Sequence, residues 1–87
     1  MPAIVYHRKD PNFKSEWAKF PDDYEPVARV KTKKLDEAFE LTNSITCPWW
    51  ENQGVSAIKQ TRSTSVGDVV EVDGVLYLCA DIGWQKQ

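Results

Sequence analysis

The chain has 87 residues, enough for one small domain. Apolar residues make up 41% and charged residues 28%, an ordinary balance for a folded domain and the wrong one for a chain disordered throughout. The net charge of −2 and pI of 5.3 lack the basic surplus of a duplex-DNA binder, yet fall well short of the acidity of a DNA mimic.

A domain this small buries a modest share of its surface. Four Trp, three Tyr and three Phe offset that, since aromatic side chains bury about 150–250 Å² each. Two cysteines, Cys47 and Cys79, and one histidine, His7, give no C-x-x-C pair and no structural zinc pattern, so neither a metal nor a cofactor is expected. Two reduced thiols in a cytoplasmic protein fit this cysteine usage. No apolar run follows the first Met and no stretch of about 18 apolar residues occurs, so neither a signal peptide nor a membrane span is expected. The expected compartment is the cytoplasm.

In chain order, Ala3–Tyr6 is a short β-prone run and the first predicted strand. Residues 7–26, with three prolines and many polar side chains, read as a long loop. Within it Ser15 can cap a helical turn reaching Phe20, with Trp17 and Phe20 three residues apart and pinned to the body. Val27–Thr32 predicts a second strand. Residues 33–43 predict the helix, with Thr32 as N-cap and Asp36 and Glu37 in the first turns, where the helix dipole favours negative charge. Leu35, Ala38, Phe39 and Thr42 fall on one face of it.

A second loop, 44–54, contains Pro48-Trp49-Trp50, and residues 55–59 read as a short edge segment. Asp73-Gly74 between apolar runs then signals a tight hairpin, because a type I′ turn needs positive φ at both central residues. A two-residue turn pairs Val72 with Val75, Val70 with Tyr77 and Val69 with Leu78. Both faces of this hairpin are largely apolar, so both require cover. The expected fold is α+β: four or five mostly antiparallel strands curled against one helix. The expected core holds Val5, Val27, Val30, Leu35, Phe39, Val70, Val72, Tyr77, Leu78 and one of the adjacent tryptophans.

From Leu35 onward the chain resembles the YodL-like domain family. The likeness lies in a helix ending near Phe39 and Asn43, a Pro- and aromatic-bearing loop (Pro48, Trp49, Trp50), the Arg62-Ser63-Thr64-Ser65-Val66-Gly67-Asp68-Val69 turn, and a strand ending Asp81-Ile82-Gly83-Trp84. Trp84 stands where Phe is common, the loop before Arg62 looks longer, and the first 34 residues lie outside the resemblance. The resemblance implies an accessory protein of a phage or plasmid, and carries no enzymatic activity.

Four groups of residues are candidate sites. Ser63, Ser65 and Asp68 around Gly67 suit a tight turn that binds its own backbone, and with Arg62 they suit an anion-binding nest. Adjacent Trp49 and Trp50 point opposite ways if the chain is extended, so one can be buried and the other offered to a partner, or both can fold over as a lid. Arg29, Lys31, Lys33 and Lys34 can face phosphates or guard an edge strand. His7, Cys47, Asp68 and Asp81 lack the neighbours that nucleophilic or acid–base chemistry requires, so an enzyme is not expected.

The expected function is a non-catalytic module that binds a host or viral protein. Trp49, Trp50, Trp17 and Phe13 form the expected contact surface, with Arg62 at its rim. The alternative is nucleic-acid contact through Arg29, Lys31, Lys33 and Lys34. Pairing through an edge strand makes a homodimer possible in principle.

Overall fold

In the computed structural model, residues 3–10, 17–20, 22–43, 48–80 and 83–87 are described. Phe13, Ser15, Cys47 and Asp81 lie outside them. The elements are β1 (Ala3–Arg8), β2 (Tyr24–Val30), α1 (Leu35–Leu41), a 3₁₀ turn (Trp49–Glu51), β3 (Val55–Ala57), β4 (Val69–Val72), β5 (Val75–Cys79) and β6 (Trp84–Lys86). The strands form one antiparallel sheet in the order β3-β2-β1-β4-β5-β6. The α+β class holds, with six strands on one helix.

The terminal hairpin has the predicted register: Val72 faces Val75, Val70 faces Tyr77 and Val69 faces Leu78. Its turn residues have φ of 51° at Asp73 and 81° at Gly74. A two-residue turn with positive φ at both positions matches the right-handed twist of the strands it joins.

Each face of the sheet carries its own apolar cluster. On one face Ala3, Val5, Val27, Ala28, Val30 and Val70 pack with Ala38 of the helix and with Trp49. On the other, Tyr24, Val69 and Leu78 pack with Tyr6, Leu76 and the segment bearing Trp17, Ala18 and Phe20. Phe20 meets the edge of Tyr6 at 5.0 Å between ring centroids. Part of the expected long loop is therefore the cover that the two-faced apolar hairpin requires.

Three expectations shift. The second strand runs Tyr24–Val30 rather than 27–32. Pro26 is tolerated inside it for a geometric reason. Lys9 N–H donates to Asp23 O at 2.9 Å, and alternation from that pair puts Pro26 opposite Tyr6 at a non-hydrogen-bonded position, where no ladder donor is lost. The register then slips by one between Val5 and Tyr6, which lets Val27 and Ala28 both be buried. The helix is shorter than 33–43 and starts from Lys34, not Thr32. The Thr32 hydroxyl instead accepts the Lys34 N–H at 3.1 Å, a local turn that competes with capping. Finally, Leu35, Phe39, Val72 and Tyr77 are only partly buried.

Candidate functional site

The region around the 62–68 turn is dense in polar side chains, and the fold uses them on itself. Asp68 is 1% exposed. Its carboxylate accepts the N–H of Ser65 at 2.8 Å and the N–H of Arg8 at 2.9 Å. It also accepts both arms of the Arg62 guanidinium, at 2.7 and 2.8 Å. This forked, charge-assisted pair is the strong form of such a contact. Gly67 has the expected positive φ of 98°. The turn thus binds its own backbone, and Asp68 occupies the place an anion would take beside Arg62. The turn reading holds over the nest, because this half-buried guanidinium is already paired with Asp68.

A second polar chain runs beside it. The Thr42 hydroxyl lies 2.8 Å from the Ala38 carbonyl oxygen, and only the hydroxyl can supply that proton. The Thr64 hydroxyl must then donate to Thr42, at 2.8 Å. With both hydroxyl protons spent, His7 Nε2 must carry the proton it shares with Thr64, at 2.9 Å. His7 is 2% exposed, and its Nδ1 has no hydrogen-bond partner among the described residues. Burial pushes the imidazole down to about 4, against the opposing pull of Asp68. At neutral pH His7 is therefore the uncharged Nε2–H tautomer. It ties the central strand β1 to the 61–68 turn and to the end of the helix, and Asn43 adds a bond from Nδ2 to Thr64 O at 2.7 Å. No sequence pattern announced this chain, because its members lie 22 and 57 positions apart.

Trp49 is buried, 2% exposed, and donates its indole N–H to the carbonyls of Thr61 and Arg62 at 2.9 and 3.1 Å. Its place in the contact surface is therefore corrected to a place in the core. The 3₁₀ turn, not an extended chain, sets the neighbouring rings edge to face, 5.5 Å apart. Trp50 is half-buried against the same cluster, and Trp17 is half-buried against the opposite one. Trp84 donates to Asp36 at 3.0 Å and meets Phe39 edge-on, fastening β6 to the helix.

The four basic candidates separate. Lys33 pairs with Asp73 at 3.7 Å, and Lys34 sits exposed at the start of the helix. Arg29 and Lys31 project together into a groove of about 370 Å³ lined also by Gly54, Val55 and Ser56. Neither has a side-chain hydrogen bond or ion pair among the described residues. Nearby, just past β3, Ile58 is 52% exposed, the sole large apolar side chain so exposed among the described residues. Sequence reasoning missed Ile58, because one apolar residue in a polar stretch carries no periodic signal.

Among the described residues no group of three or more His, Cys, Asp and Glu is placed to hold a metal, and no helix is long and apolar enough to cross a membrane. The geometry defines a small α+β domain whose buried polar side chains bind one another and the backbone, and which exposes Arg29 and Lys31 beside β3. Compared with family models, curated proteins and solved structures, the chain matches none.

Proposed function

We propose that this chain is a non-catalytic binding module, an accessory protein of a phage or other mobile element that docks on a host or viral protein. The observation that carries the reading is the β3 side of the sheet, where Ile58 is exposed just past the edge strand and Arg29 and Lys31, without side-chain partners among the described residues, line the groove beside it. Exposed apolar groups flanked by unpaired charge suit recognition, because burial supplies affinity and charge supplies selectivity. Absence of catalysis is supported by where the reactive side chains go: Arg62 and Asp68 pair with each other, Asp68 also accepts backbone N–H groups, and His7 is buried and bonded to Thr64. The mobile-element origin rests on the likeness of Arg62–Val69 and its flanking residues to the YodL-like domain family. The docking surface moves from the tryptophan pair to β3.

The test is affinity purification from a bacterial cell expressing the tagged chain or its Ile58→Asp variant, at matched melting temperature. A defined protein captured by the parent and absent with the variant is the expected result. Identical captures from both chains would remove this surface from the reading.

A further inference from the structure

The β3 side offers three features to one ligand. The first is an open backbone edge. Lys31 N–H donates to Gly54 O at 2.9 Å and Ile58 N–H donates to Val27 O at 2.8 Å. Alternation between those two bonds places Ala57 at a non-hydrogen-bonded position opposite Ala28, so its N–H and C=O point away from β2. The second is charge. Register puts Arg29 opposite Ser56 and Lys31 next along the same face of β2, above the groove. The nearest acid across the sheet on that face is Glu71, which shares Ile4 as a cross-strand neighbour with Arg29. The pair makes no salt bridge, and the Ile4 side chain stands between them, whereas on the β3 side only the small residues Ser56 and Gly54 lie opposite the two cations. The third is Ile58 at the end of the edge.

We infer that β3 is a strand-addition site for an acidic segment in extended conformation. The segment's backbone pairs with the outward amide and carbonyl of Ala57. Its alternate carboxylates enter the groove to meet Arg29 and Lys31, and an apolar residue covers Ile58. Main-chain bonds supply affinity in this mode, and alternate side chains supply selectivity. A nucleic acid fits less well. It requires a longer basic track and exposed rings on which bases stack, whereas Lys33 is paired and Trp17, Trp49, Trp50 and Trp84 are packed. The opposite edge, β6, lacks the groove cations. This inference rests on the docking surface proposed above and names its ligand.

Fluorescence anisotropy with labelled synthetic probes tests it. The probes are an alternating Glu-Val heptapeptide, the same peptide with a central Pro, an alternating Lys-Val heptapeptide, and a thymidine decanucleotide. The Glu-Val peptide binds best, and its Kd rises at least tenfold for the Arg29→Glu/Lys31→Glu double variant. It also rises at least tenfold for Ala57→Pro, which deletes the outward N–H without altering charge. The melting temperature of each variant stays near the parent's. Equal binding of the Pro-interrupted peptide, or no effect of Ala57→Pro, overturns strand addition. Tighter binding of the oligonucleotide, with a steep salt dependence, overturns the peptide class. If no peptide binds but Ile58→Asp still loses its captured protein, this inference falls while the docking surface stands.

Discussion

His7 is the residue whose protonation the fold opposes most visibly. Its folded value of about 4 lies below the ordinary 6.5, so between those pH values the unfolded chain binds more protons. Stability is then complete above about pH 6.5 and declines as pH falls toward 4. A shift of this size corresponds to about 3 kcal/mol. Urea unfolding across that range should show the decline in the parent and a much flatter profile in His7→Gln, whose amide can still donate to Thr64. Parallel profiles would mean that His7 is not buried as a neutral base. Trp49 belongs to the same scale. Its truncation to Ala removes a buried ring and orphans two carbonyls, so a loss of about 3–5 kcal/mol is expected. Trp50→Ala, at a half-buried position, should lose much less. Sequence placed these two rings side by side but could not rank them. Their burial is decided by a 3₁₀ turn and by carbonyls at Thr61 and Arg62, neither of which is written locally.

Among elements, the β4–β5 hairpin was the most legible, because its chemistry is local. Asp73-Gly74 states the turn, and period-two alternation then dictates every cross-strand pair. Gly74 has φ of 81° with open space around it, so Gly74→Ala introduces strain without a clash. Its expected cost is about 1–2 kcal/mol, read from denaturant midpoints. Asp73→Asn should stay within about 0.5 kcal/mol, since Asn tolerates the left-handed region and the exposed pair with Lys33 contributes little. The helix was legible in position but not in its ends, where Thr32 formed a local turn instead of a cap. β6 was missed because three residues, Trp84–Lys86, carry too few alternations to register as a strand. Its anchor is the tertiary bond from Trp84 to Asp36.

For the whole molecule, the decisive fact is that β1 lies in the middle of the sheet. It pairs with β2 and, across more than 60 residues of sequence, with β4. No local pattern names that second partner, so the first strand was legible as a strand but not as the centre. Its central place explains why polar side chains from distant segments converge there. Arg8 N–H, His7, Thr64, Arg62 and Asp68 bind one another around it and fasten the turn, the helix and the hairpin to one strand. The cations are thereby divided by topology. Arg62 is spent on Asp68, and Arg29, on β2 beside the edge strand β3, faces solvent.

Denaturant unfolding of Arg62→Ala and Arg29→Ala, each against the parent chain, tests that division most directly. Removal of the Arg62 guanidinium leaves the Asp68 carboxylate buried with the N–H groups of Arg8 and Ser65 and the Ser65 hydroxyl as its donors, and a loss of about 3 kcal/mol is expected. Removal of Arg29 should leave stability within about 0.5 kcal/mol. Equal losses from the two variants, or a larger loss at Arg29, would contradict the assignment of one cation to architecture and the other to recognition.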